Sequence, residues 1–291
     1  MADFEAINGV AAGSIEAVSG VAKSSMEAIG GLTTPSSGVT EQASVLHWWK
    51  MNDSAVTQVD SIVNDPVSNL TGVNADLVSS GRTVGGSAIN VIGYNPVAGQ
   101  AGTGDAYSKA GDALINFEGS PKTFSFWLKL PDANTTYTGG TYRGILGCTS
   151  NGAWFDGMYI YMYGGVLRFG VVDAGTGTKW WQAAHYAGIA TTPLTDDNDW
   201  HHVACVLDDG ADLQQIYMDG VAGTAASDPL TTAVPVGSWW FGVGAILYAS
   251  SPSEGNYTDM QISDIRIYSA ALDATQVAAV YNSGDGDWDG T

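Results

Sequence analysis

Basic residues are scarce in this chain. Lys and Arg number 10 against 30 Asp and Glu, for a formal net charge of -20. Such a field repels a duplex or a polyanionic lipid surface, which argues against nucleic acid and membrane as partners. Charged residues of both signs make up only 14% of the chain, so the acidity comes from missing Lys and Arg and not from an acidic tail. Cysteine is nearly absent. Cys148 and Cys205 are the only two, too few for a disulfide framework. Both lie in apolar, strand-like runs and read either as buried free thiols or as one bridge. No run approaches about 18 consecutive apolar residues, so no membrane-spanning helix is expected. The opening Met1-Ala2-Asp3-Phe4-Glu5 lacks the basic and apolar regions of a secretion signal. The chain is therefore expected to be made in a cytoplasm and to reach any exterior site by another route.

What is abundant points to a β-rich globule. The 291 residues include 45% hydrophobic and 10% aromatic side chains and 38 glycines. That length buries one large core, and Gly with Trp, Tyr, Val and Thr is the composition of short strands joined by turns. Residues 122–130 alternate, with Phe124, Phe126, Leu128 and Leu130 on one face and Ser125, Trp127 and Lys129 on the other. Residues 157–163 alternate as well, with Met158, Ile160 and Met162 opposing Tyr159, Tyr161 and Tyr163. Both faces there are bulky, as in a strand between a core and a lined concave surface. Residues 200–207, 213–218 and 258–269 are further strand runs, and Asp219-Gly220 signals a tight hairpin. One helix is expected near the end, with Asp273 as cap, Gln276 completing a capping box, and Gly284 as stop.

The first 32 residues are different, because they repeat every eleven positions. Phe4, Ile15 and Met26 align, as do Glu5, Glu16 and Glu27, then Ile7, Val18 and Ile29, then Gly9, Gly20 and Gly31. An eleven-residue period can wind a right-handed helical supercoil. A glycine in every unit opposes that, at about 1 kcal/mol each in a helix interior. Short turns or strands that stack on a partner fit better, with Phe4, Ile7, Ile15, Val18, Met26 and Ile29 as the anchoring side chains. A solvated low-complexity leader is the alternative. Residues 33–38 are turn formers and read as a linker. The expected division is an arm with its linker at 1–38 and one globular domain at 39–291.

Four motifs, spread in order over roughly residues 45–284, carry a family resemblance. Lys122-Thr123-Phe124-Ser125-Phe126-Trp127-Leu128 is the first. Asp199-Trp200-His201-His202-Val203-Ala204 is the second, and Ile216-Tyr217-Met218-Asp219-Gly220 follows it. The last runs from Ile262-Ser263-Asp264-Ile265-Arg266-Ile267-Tyr268 to Leu272. Together they resemble the laminin-G-like, concanavalin-A-like jelly-roll domains. The resemblance implies two antiparallel sheets packed face to face; with the capped helix and the repeats, the expected fold is an all-β jelly-roll sandwich with one short C-terminal helix and an extended N-terminal arm. It also implies a glycan- or protein-binding role. The arm, with Ile7-Asn8-Gly9-Val10-Ala11 and Val18-Ser19-Gly20-Val21-Ala22-Lys23, resembles N-terminal repeats of phage structural proteins.

The same resemblance implies a structural Ca²⁺ near the first and last long strands, for which Asp53, Asp60, Asp65 and Asp264 are the candidate ligands. Ordinary surface acids are the alternative. His201 and His202 are adjacent on a strand and point to opposite faces, so they are expected to be structural. Glucanases of this sandwich carry a Glu-x-Asp-x-x-Glu strand with paired carboxylates. The nearest echo, Asp259-Met260-Gln261-Ile262-Ser263-Asp264, lacks the central carboxylate, so no enzyme is expected. A sugar would be held by flat rings, and Trp154, Tyr161, Trp180 and Trp181 are the candidates. These readings converge on a virion protein of a phage, in a capsid-decorating, head-fibre or tail-fibre position. The arm would bind other virion proteins, the particle form would be a homo-oligomer with a trimer favoured, and the domain would face a cell-surface glycan. A bacterial carbohydrate-binding adhesin at the cell surface and a concanavalin-A-like glycoside hydrolase are the alternatives.

Overall fold

A computed structural model describes residues 6–7, 10–11, 17–18, 21–22, 44–51, 57–58, 62, 69–73, 76–78, 88–91, 106–110, 121–130, 143–150, 157–163, 166–172, 186–188, 198–208, 211, 213–223, 239–244 and 260–281. In the arm, β1 (Ala6–Ile7) pairs with β2 (Val10–Ala11), and β3 (Ala17–Val18) with β4 (Val21–Ala22). Ala6 faces Ala11 and Ile7 faces Val10; eleven residues on, Ala17 faces Ala22 and Val18 faces Val21. The period is thus one of two-rung β ladders, not of helix turns. The anchoring candidates Ile7 and Val18 lie in these ladders, while Phe4, Ile15, Met26 and Ile29 lie outside the described residues.

Sixteen further strands follow: β5 (Val45–Trp49), β6 (Thr57–Gln58), β7 (Leu70–Val73), β8 (Asp76–Val78), β9 (Ala88–Val91), β10 (Ala106–Ala110), β11 (Lys122–Lys129), β12 (Arg143–Ser150), β13 (Gly157–Tyr163), β14 (Val166–Val172), β15 (Tyr186–Gly188), β16 (Trp200–Asp208), β17 (Leu213–Met218), β18 (Val221–Ala222), β19 (Trp239–Val243) and β20 (Met260–Tyr268). They form two antiparallel eight-stranded sheets. The first runs β15-β14-β13-β12-β19-β10-β7-β6. The second runs β18-β17-β16-β11-β20-β9-β8, with β5 also on β20. The sandwich expected from the motifs is therefore present.

The alternation of the sequence becomes two distinct packing faces. Phe124, Phe126 and Leu128 of β11 meet Met158, Ile160, Met162, Phe169 and Phe241 of the first sheet in one fully buried core. Trp49 stacks on Phe241 across it, with ring centroids 5.5 Å apart. Cys205 is a free thiol in this core, and burial pushes its pKa up, so it is an inert filler. The side chain of Cys148 lies outside the described residues.

The outer face of the second sheet is also buried, here against α1 (Ala274–Tyr281). Val277 and Val280 pack with Ala204, Val206, Tyr217, Tyr268 and Leu272. The capping box forms as its spacing predicts. Asp273 Oδ1 accepts from the amides of Thr275 and Gln276 at 2.8 and 2.9 Å, and Gln276 Oε1 accepts from the Asp273 amide at 2.9 Å. The helix starts where these bonds satisfy its first free N–H groups.

The Asp219-Gly220 turn joins β17 to β18 with both residues left-handed, at φ 51° and 76°. A Cβ at Gly220 would stand 3.0 Å from Tyr281 Cδ1. Gly220→Ala therefore meets both backbone strain and a ring, and is expected to cost about 1–2 kcal/mol. Asp273→Ala removes the cap and is expected to cost about 1 kcal/mol. Denaturant unfolding of the two variants checks both numbers. Wild-type stability of Gly220→Ala would contradict the helix-to-hairpin packing, and of Asp273→Ala the role of the cap.

Candidate functional site

The sugar-facing candidates belong to the first sheet. Since Met158, Ile160 and Met162 enter the core, Tyr159 and Tyr161 leave β13 on the opposite, outer face. Tyr161 lies across from Gly144 of β12 and Arg168 of β14, and Tyr159 across from Gly147 and Gly170. Glycine on the neighbouring strands leaves lateral room for the large rings. Both tyrosines are buried, with Tyr161 only 1% exposed. Tyr161 is thus a filler of this outer face and not the open stacking platform expected of it, because a sugar needs a solvent-facing ring.

The other three candidates lie outside the described residues, but the strand ends that bracket them are described. Gly157 pairs with both Thr149 and Val172, Gly170 pairs with Tyr186, and Ser150 pairs with Trp239. The end of β12, the start of β13, the end of β14 and the start of β15 therefore meet at one end of the first sheet. Trp154 belongs to the segment joining β12 to β13, and Trp180 and Trp181 to the segment joining β14 to β15.

Asp264, the one metal candidate among the described residues, is 3% exposed and left-handed at φ 52°. It sits where the β11–β20 register slips, between Ser125↔Arg266 and Trp127↔Ser263. Its Oδ1 accepts from Arg266 Nε at 3.0 Å and its Oδ2 from Arg266 Nη2 at 3.2 Å. Trp48 Nε1 donates to the same Oδ1, and the Trp48 ring carries Arg266 Cζ and Lys50 Nζ each 4.5 Å from its centroid. The carboxylate is committed to a guanidinium in a two-pronged pair. A calcium ion there would have to displace or abut that cation, so Asp264 does not fit the ligand role. Asp53, Asp60 and Asp65 lie outside the described residues. Among the described residues no group of three or more His, Cys, Asp and Glu could hold a metal.

The histidines take opposite faces, as their adjacency requires. His201 Nδ1 donates to Asp219 Oδ2 at 2.7 Å, and the His202 amide donates to Asp219 Oδ1 at 2.8 Å, so one carboxylate ties the hairpin to β16. His202 Nε2 shares a hydrogen bond of 2.8 Å with Ser125 Oγ. This Ser–His pair was not apparent in the sequence, since the residues are 77 apart and only the β11–β16 register joins them. His202 is 1% exposed, under Trp127 and Tyr281 whose rings are 5.3 and 5.9 Å from its own. Ser125 and His202 are both buried, and the pair acts as a cross-strand tie. Burial, reinforced by the charge of Asp219, pushes the Tyr281 phenol up.

Because one member of a buried pair cannot be removed without stranding the other, Arg266→Met is expected to cost roughly 3–5 kcal/mol. The double variant Arg266→Met with Asp264→Asn should recover part of that loss. Urea unfolding of the two is the check, and equal stabilities of Arg266→Met and wild type would refute the pairing.

Comparison with known proteins completes the picture. No curated protein matches the sequence as a relative. Among solved structures the chain is similar to the binding domain of Paraclostridial Mosquitocidal Protein 1, at 15% identity and TM-score 0.58, over 84% of this chain and 53% of that one. It is similar to the Botulinum neurotoxin serotype D ligand binding domain in complex with N-acetylneuraminic acid, at 14% and 0.57, over 85% and 52%. It is also similar to the binding domain of Botulinum neurotoxin DC in complex with rat synaptotagmin II, at 13% and 0.59, over 84% and 52%. The chain thus spans about half the length of these structures, and at such identities the likeness is one of fold. The family described as the concanavalin A-like lectin/glucanases superfamily, laminin G type, matches residues 102–278. With its motif strands, its two sheets and that match in agreement, the chain belongs to the concanavalin A-like superfamily.

Proposed function

We propose that this chain is a non-catalytic adhesion module of a phage virion, displayed by its N-terminal arm and directed at a cell-surface glycan. The carrying observation is the convergence of strand ends in the first sheet. The segments bearing Trp154, Trp180 and Trp181 join strand ends that meet at one end of that sheet, and large flat rings are the side chains that stack on sugars. Support also comes from the folds it is similar to, which include a domain in complex with N-acetylneuraminic acid and one in complex with rat synaptotagmin II. With a net charge of -20, neutral glycans are favoured here over anionic ones.

The arm supplies the anchoring half of the proposal. Two-rung hairpins are below the size that is stable alone in water, so repeated ones in identical register suit a segment that gains its packing from other virion subunits or from its own copies. A homotrimer is the favoured form, in a capsid-decorating or tail-fibre position. A bacterial carbohydrate-binding adhesin is the second reading, and it shares the sugar site but needs no particle.

Two measurements test the two halves. On an array of neutral and sialylated glycans, the full chain is expected to bind a neutral set. Trp180→Ala and Trp154→Ala should each weaken that binding on the order of tenfold, about 1.4 kcal/mol. No binding to any glycan would defeat the adhesion half. In light scattering, the full chain should be a trimer or larger, and Ile7→Glu with Val18→Glu should reduce it to a monomer. A monomer in both cases, with no co-purification on particles, would defeat the anchoring half.

A further inference from the structure

Among the described residues, one cross-strand row carries a lysine and a glutamine into the core between the sheets. Lys122 of β11 pairs with Leu207 of β16, and Leu207 pairs with Gln214 of β17. All three point inward. Lys122 is two residues from Phe124, Gln214 is two from Ile216, and Phe124, Leu207 and Ile216 all belong to the inter-sheet core. Gln214 is 1% exposed, and among the described residues neither its Nε2 nor its Oε1 meets a hydrogen-bonding group of the chain. Lys122 is 6% exposed, and its ammonium reaches only the neighbouring Pro121 carbonyl, at 3.5 Å.

An amide buried with both ends unpaired costs several kcal/mol, and a partly buried ammonium with one long bond adds to that cost. Strands spaced about 4.8 Å apart put the two Cα atoms roughly 10 Å from each other across Leu207. The side chains can therefore approach from either side but need something between them. Chemistry limits what that is. Gln214 Oε1 needs a donor, whereas Gln214 Nε2 and the Lys122 ammonium need acceptors. A carboxylate or phosphate would leave Oε1 unanswered, and a metal ion would be repelled by the ammonium. Water both donates and accepts, and it is the smallest group that does so, which suits a close-packed core.

We propose that the Lys122–Leu207–Gln214 row is an internal hydration site, in which ordered water held by both ends of the Gln214 amide is bridged to the Lys122 ammonium. Strand β17, which carries Gln214, lies beside β14 and β15 of the first sheet. Solvent exchange at the Gln214 amide should be slow, since that side chain is buried and pairs with no group of the chain. Burial lowers the Lys122 pKa, as expected of an ammonium whose partners are water and a carbonyl and not a carboxylate.

Water-oxygen magnetic relaxation dispersion on the full chain tests this, because it counts internal waters by their long residence. The wild type is expected to hold at least one more long-lived water than Gln214→Leu, a variant that fills similar volume and removes both unpaired atoms. Lys122→Met should shorten the residence time of the same water several-fold by removing its third partner. Equal long-lived counts in wild type and Gln214→Leu would overturn the site. An unchanged residence time in Lys122→Met would overturn the bridge. A crystal structure of the wild type should show the water within hydrogen-bonding distance of both Gln214 amide atoms, and a dry or protein-filled space there would contradict it.

Discussion

Strand β20 must serve two partners along one edge while keeping its apolar side chains in the core. Its other edge pairs with β11 throughout, but on this edge Met260–Ile262 pair with β9 and Ile265–Tyr268 with β5. A regular strand would carry Ile262 and Ile265 to opposite faces. The left-handed Asp264 absorbs one residue, so that Ile262, Ile265 and Ile267 all enter the core. The bulge then needs a reason to persist, and the Asp264 carboxylate supplies it by gripping Arg266 and Trp48. The hydrogen bond from the Asp264 amide to the Lys50 carbonyl, beside the equally left-handed Met51, completes the junction.

From that junction the second sheet is organised outward. The β11 rows set by β20 place Ser125 against His202, and the β16 rows place Asp219 against both histidines. Tyr281 closes over this group from α1 and demands glycine at position 220. Polar groups that could support chemistry elsewhere are used up here as ties between strands.

Much of this was legible in the sequence because the period of two is a direct image of burial. The strands of residues 122–130, 157–163 and 213–218 and the capped helix emerge with nearly the expected limits, and the motifs place them in one family. The bulge was less visible. Its only trace is the spacing Ile262-x-x-Ile265-x-Ile267, where a step of three interrupts steps of two. Asp264 was read as a candidate calcium ligand, since nothing in the sequence marks its carboxylate as held by Arg266 and Trp48. Tyr161 was assigned to an open surface because alternation tells one face from the other but not whether the outer one is covered. Gln214 drew no notice, as one glutamine in a strand carries no sign of which way it points.

The dependence on β20 is most directly tested by native-state hydrogen exchange on the full chain. If β20 is the hub, the amides of Ile262 and Ile267 on either side of the bulge exchange only by global unfolding, and their protection falls together in Arg266→Met. If the Met260–Ile262 half opens at a lower free energy than the Ile265–Tyr268 half, the two halves are held separately and the bulge does not join them.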